Sequence, residues 1–136
     1  MDVKRVDVWA AALKDEVGNL STVLKGLSDA GANLDFVIAR RTASKPGEGV
    51  VFVTPLEGDA VVEAAKGMGF NVTESVQAVR LEGNDAPGVG ADITCKLADA
   101  GINLRGFSAA VTGGKFIAYV GFDNAGDADK AVEILG

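Results

Sequence analysis

The sequence contains no histidine and only one cysteine, Cys95. These absences exclude an imidazole general base and zinc sites of the Cys/His type, and a lone cysteine cannot form an intrachain disulfide. The sequence also lacks a Gly-x-Ser-x-Gly elbow, a Walker loop and a Rossmann glycine pattern after a strand. We therefore expect a protein that is not an enzyme, with no catalytic residues, no metal and no cofactor.

Long apolar runs and an excess of positive charge are missing as well. No run approaches the roughly 20 apolar residues of a membrane-spanning helix, and the first residues mix both signs of charge without the apolar core of a secretory signal. We expect a cytoplasmic location and no membrane partner. The 13 Lys and Arg residues face 19 Asp and Glu residues, for a formal charge of −6. Such a chain repels polyanions, so nucleic acid is not an expected partner.

What the sequence does contain is an internal repeat with an offset of 70 residues. Between Lys14/Asn84 and Leu34/Leu104 there are 21 aligned pairs, of which eight are identical. About one or two identities are expected by chance, so the chain holds two copies of one unit. We place them at residues 1–73 and 74–136.

Each copy reads strand, helix, strand, strand, helix. This order, with hairpin-length links between the middle strands, predicts an α+β fold: two ferredoxin-like βαββαβ units whose antiparallel sheets carry their helices on one face. The first copy ends in a short expected fourth strand, Phe70–Thr73. The second copy lacks its last strand, which predicts an open sheet edge. Second helices are expected at 59–68 and 127–135, preceded by Gly58 and Gly126.

Certain motifs of both copies resemble the ACT domain, an amino-acid-sensing module of biosynthetic enzymes. The second copy carries Asn-Asp-Ala-Pro-Gly-Val at 84–89 and Ala-Gly-Ile-Asn-Leu at 100–104, and the first copy matches them at 15–18 and 30–34 without the proline. The resemblance implies two ACT units in tandem, which bind a free amino acid, often across the interface between two units.

The candidate ligand residues are Asp15, Gly18, Asn33, Asp85, Gly88 and Asn103. A glycine at the first turn of a helix lets a ligand approach free N–H groups that bind a carboxylate. The ammonium group of an amino acid needs acceptors, for which Asp and Asn oxygens are suited. The resemblance, and not the spacing, implies that the aspartates and asparagines contact the ligand.

Each candidate also has a plainer interpretation. The aspartates could be turn or helix-cap residues, the asparagines could occupy left-handed turn positions, and the glycines could serve close packing. The basic residues Arg40, Arg41 and Lys45 are interpreted as a solvated hairpin.

The sequence thus predicts a regulatory protein that binds a free amino acid. We expect a homo-oligomer, and a metabolic enzyme as its possible partner. The alternative is a ligand-free interaction module that uses its sheet edge to dimerise or dock.

Overall fold

The structure is a computed structural model that describes residues 1–72 and 74–136. Its elements are β1 (Asp2–Lys14), α1 (Asn19–Asp29), β2 (Phe36–Arg41), β3 (Glu48–Thr54), α2 (Asp59–Gly67), β4 (Val76–Asn84), α3 (Val89–Asp99), β5 (Leu104–Thr112), β6 (Lys115–Phe122) and α4 (Ala125–Leu135). The α+β class and the order of elements in both copies are confirmed. No helix in the described ranges has the length and apolar character needed to cross a membrane.

The chain forms two compact units, and β1 contributes to both. The first unit is Asp7–Ser75, and the second unit is Val76–Gly136 together with Met1–Val6. The structure therefore divides the chain differently from 1–73 and 74–136, because the first six residues pack with the second copy.

The first unit has an antiparallel sheet in the order β2, β3, β1, with α1 and α2 packed on one face. Its core is an apolar cluster that includes Leu27 of α1, Ala65 of α2 and Val51 and Val53 of β3, all at 0% exposure. A fully buried leucine contributes about 1.5–3 kcal/mol, so this contact fixes the helices on the sheet.

The second unit repeats this plan with β4, β6 and β5. Leu81, Leu97, Phe122 and Ala131 lie at 0% exposure in its core. A tight turn at 112–115 joins β5 to β6, and its Gly113 and Gly114 have φ values of 55° and 77°, which only glycine adopts without strain.

The missing last strand of the second copy is supplied by the start of the chain. In the sheet β1 lies next to β4, and Met1–Val6 belongs to the second unit. Met1 contacts Gly83 and the Arg5 guanidinium donates to Gln77, so this segment runs antiparallel to β4. Arg5 also forms a 3.4 Å ion pair with Asp129 of α4. The expectation of an open edge at β4 is wrong.

The prediction of a strand at Phe70–Thr73 is also wrong, because residues 70–72 form no strand. Thr73 lies outside the described residues. Gly69 takes a φ of 95°, and the Phe70 amide donates to the Ala65 carbonyl, which closes α2. Phe70 is thereby turned into the core, at 3% exposure. A side chain held there cannot take part in a strand at the sheet edge.

The start of α4 differs from the sequence prediction by two residues. Gly126 lies inside the helix, and the helix cap is Asn124, whose side-chain oxygen accepts a 2.8 Å hydrogen bond from the Asp127 amide. Asparagine is a strong N-cap, so it sets the helix start ahead of the glycine.

Candidate functional site

The first unit has a cleft where β1 passes into α1. Its volume is about 190 Å³, and its lining consists of Leu13, Lys14, Asp15, Glu16, Leu20, Ala39, Arg40, Arg41 and Gly49. A space of this size suits one small metabolite, since sites for drug-sized ligands start at about 300 Å³.

Strand pairing explains why these residues converge. In the sheet Leu13 pairs with Gly49, and Gly49 pairs with Arg41, so the ends of β1, β3 and β2 lie level with one another. The chain leaves β1 at this level and enters the turn before α1. The turn therefore closes over the strand ends, and it brings Asp15 above the end of β2.

Asp15 and Arg41 form an ion pair at the rim of the cleft. The distance from Arg41 Nε to Asp15 Oδ2 is 2.8 Å, and the side chains are 85% and 39% exposed. An ion pair this exposed contributes little to stability, at most about 1 kcal/mol. It does place a carboxylate and a guanidinium side by side, which is the charge pattern complementary to the two ends of an amino acid.

Gly18 begins α1 with a φ of 87°, and no side chain caps the helix. The first N–H groups of a helix have no partner within it, so an uncapped start leaves donors for an anion. Gly88 begins α3 in the same way, with a φ of 84° and no side-chain cap. By contrast, α4 is capped by Asn124.

These observations exclude two of the plainer interpretations, a helix-cap role for the aspartates and close packing for the glycines, whereas both aspartates do lie in the turn between strand and helix. Asp15 and Asp85 do not cap the helices, because Gly18 and Gly88 hold the cap positions. A side chain built on either glycine would meet nothing within 4 Å, so neither glycine serves close packing. Their positive φ values explain them instead.

The structure places Asn33 and Asn103 away from these turns within each unit. Asn33 lies between the end of α1 and the start of β2, and Asn103 lies between α3 and β5. A helix of 11 residues separates each asparagine from its turn, which is about 16 Å of helix. The residues described with positive φ are all glycines, so neither asparagine is a left-handed turn residue.

Asp85 lies in the same kind of turn as Asp15. The Asp15 amide donates to Gly47 at 3.0 Å, and the Asp85 amide donates to Gly114 at 2.9 Å. The neighbourhood differs, however, because the repeat puts Ala110 and Val111 where the first copy has Arg40 and Arg41. The turns are alike, and their charges are not.

Sequence reasoning missed Arg41. The interpretation of Arg40, Arg41 and Lys45 as a solvated hairpin agrees with their exposure, and both arginines also line the cleft. A signal was present, since these arginines occur in one copy of the repeat alone. No three His, Cys, Asp or Glu residues converge as a metal site anywhere in the described part of the chain.

Comparison with known proteins shows the fold. No protein-family model matches the chain, and no curated protein matches it in sequence. A protein of Bacteroides thetaiotaomicron is similar with a TM-score of 0.79 at 19% identity, over 98% of this chain and 88% of that one. The regulatory subunit of aspartate kinase from Thermus thermophilus gives 0.59 at 17% identity, over 98% and 95%.

Aspartate kinase from Clostridium acetobutylicum gives a TM-score of 0.59 at 19% identity, over 98% of this chain and 33% of that enzyme. The chain thus shares its fold with these structures. Two of these similar structures are a regulatory subunit and an allosteric enzyme.

Proposed function

We propose that this is a non-catalytic regulatory protein that binds a free amino acid in the first unit's cleft. The observation that carries the proposal is the Asp15–Arg41 pair at the mouth of that cleft. The ligand carboxylate binds Arg41 and the uncapped start of α1, and its ammonium group binds Asp15.

Both partners of this ion pair have polar atoms outside the contact between Arg41 Nε and Asp15 Oδ2. The ion pair is made through Arg41 Nε, and we propose that the terminal nitrogens of the guanidinium bind a carboxylate. Asp15 receives Arg41 on Oδ2, so Oδ1 remains for the ammonium group. A zwitterionic amino acid therefore contacts both side chains without breaking the ion pair between them.

Asp85 and Gly88 form the corresponding proposal for the second unit. Asn33 and Asn103 remain proposed contacts only for a site that extends beyond these turns, since a helix separates each of them from its turn. The second unit lacks arginines at the positions of Arg40 and Arg41. Binding at Asp85 and Gly88 would therefore depend on the start of α3 alone for the carboxylate. We propose the first unit as the stronger site.

The bound state is transmitted through assembly or through a partner enzyme of amino-acid metabolism. This part rests on the similarity in fold to a regulatory subunit of aspartate kinase. Binding to the folded state raises stability, and it can shift an assembly equilibrium if the assembled state binds more tightly.

A thermal-shift screen against the twenty amino acids tests the proposal. A ligand at 100 times its dissociation constant adds about 2.7 kcal/mol to the free energy of unfolding, which raises the melting temperature measurably. Asp15→Asn should reduce affinity at least tenfold by removing a charge-assisted hydrogen bond, and Asp85→Asn shows how much the second unit contributes. Absence of any shift with all twenty amino acids would refute the proposal.

The second candidate is a ligand-free interaction module. The observation that favours it is the exposure of Phe107 (38%) and Val111 (54%) on β5 and of Val37 (40%) on β2. β2 and β5 are the outer strands of their units, so each has a row of unpaired backbone groups. This candidate predicts association that no amino acid alters.

A further inference from the structure

The inner end of the first unit's cleft is apolar. Leu13 and Leu20 are half-buried, and both pack against the buried cluster of the first unit. The same two leucines line the cleft together with Ala39. The cleft is therefore the open end of the hydrophobic core, and an apolar group entering it would continue that core.

The rim of the cleft carries charges of both signs. Lys14, Arg40 and Arg41 supply positive charge, and Asp15 and Glu16 supply negative charge. Charges of both signs at the rim favour neither sign of ligand side chain. A charged ligand side chain lying on the leucines would lose its hydration without gaining a partner.

The repeat provides an internal comparison. The second unit has Gly83 and Gly90 where the first has Leu13 and Leu20. Leu13 pairs with Gly49 in the first sheet, whereas Gly83 pairs with Phe116 in the second. Where the first unit has a glycine on the sheet beside an open cleft, the second has a phenylalanine.

Phe116 lies on the core face of its sheet, since it alternates with the buried Ala118 and Val120, and it is 7% exposed. Gly49 alternates with the buried Val51 and Val53 in the same way. A side chain on Gly49 would come within 2.6 Å of the Arg40 carbonyl oxygen, so the second unit alone carries an apolar side chain at this position of the sheet.

We infer that the first unit's cleft selects an amino acid with an uncharged aliphatic side chain, and that Phe116 fills the equivalent place in the second unit. The inference rests on the proposed function and specifies its ligand class. The ligand's side chain lies on Leu13 and Leu20, and its charged end meets Asp15 and Arg41.

Calorimetry with the full chain tests this inference, with glycine, L-alanine, L-valine, L-leucine, L-lysine and L-aspartate as probes. Affinity should rise from glycine to leucine by about fourfold for each buried methylene. Lysine and aspartate should bind at least tenfold more weakly than leucine.

Leu20→Ala should lower the affinity for leucine about tenfold and leave that for glycine unchanged, because only the side-chain contact is lost. Leu20→Met should restore leucine binding and shows whether loss of folding explains the first variant. Gly90→Ala, at the matching position of the second unit, should leave the affinity for leucine unchanged.

If lysine or aspartate binds best, or if affinity is the same from glycine to leucine, the inference is overturned and the proposed function stands. If Leu20→Ala has no effect and Gly90→Ala weakens binding, the cleft of the first unit is not the site. If no probe binds to the wild-type chain, the proposed function is overturned together with the inference.

Discussion

At the scale of single residues, Gly18 and Gly88 are required by backbone conformation and not by packing. Both take φ values above 80°, and a side chain at either would meet nothing within 4 Å. The same conformation leaves the helix starts without a side-chain cap. A single residue type therefore shapes the turn and keeps its donors open.

Gly18→Ala should lower the free energy of unfolding by about 1–2 kcal/mol, because an L-residue is strained in the left-handed region. Chemical denaturation measures this. Gly67→Ala is the matched control, since Gly67 lies in α2 without a positive φ and with open space around it. The control should be neutral or slightly stabilising, and equal losses in both variants would contradict the backbone explanation.

Asn33→Ala measures how far the site extends. If the ligand lies wholly within the first unit's cleft, affinity should change less than twofold, because the length of α1 separates Asn33 from the turn. Calorimetry with the ligand from the screen gives the answer. A tenfold loss would show that the site reaches beyond the cleft, as the resemblance to ACT domains implies.

At the scale of elements, β1 stands out because one strand serves two units. Its first part packs with the second unit, and its remainder pairs with β3 in the first. The Arg5 contacts with Gln77 and Asp129 tie the first part to β4 and α4. The second unit thus has a neighbour for β4 that comes from the first residues of the chain.

Val3→Ser should lower the free energy of unfolding by about 1 kcal/mol, since Val3 is half-buried against the core of the second unit. Hydrogen exchange should show faster exchange in β4 than in the wild-type chain. Lys4→Ser, at the exposed neighbouring position, is the control and should leave both quantities unchanged. Equal effects from the two variants would show that Val3 makes no special contribution.

At the scale of the whole molecule, a cut near Ser75 should not yield two folded halves. The fragment 76–136 lacks Met1–Val6, and β4 loses its neighbour on that side. We expect this fragment to unfold without a cooperative transition, as monitored by circular dichroism. Attaching residues 1–6 after Gly136 through a flexible linker should restore the transition; a cooperative transition in the bare fragment would disprove the role of the strand.

We also expect the chain to associate through β2 or β5, since β4 has a neighbouring strand on each side. Light scattering should show a dimer or larger oligomer at micromolar concentration, because pairing an outer strand satisfies backbone groups and covers Phe107 and Val111. Val111→Lys should weaken a contact made through β5. A monomer at this concentration in the wild-type chain would count against association.

The sequence by itself determined the repeat, the order of the elements and the turns at Gly18, Gly88 and 112–115. These features are local, because glycine conformation and apolar periodicity act over a few neighbouring residues. The same reasoning placed Asp15 and Gly18 on one turn. It could not tell a helix cap from a ligand contact, since aspartate suits both.

Only the tertiary structure decided which segment completes the second unit and where the cleft lies. Met1 lies near Gly83, and Asp15 pairs with Arg41, although both partners are far apart in the sequence. The local sequence pattern around one residue does not predict its partner. Strand pairing is set by long-range burial and register, so the apolar pattern of one strand does not predict which strand pairs with it. Leu13, Leu20 and Arg41 line one cleft because β1, β3 and β2 end at the same level of the sheet.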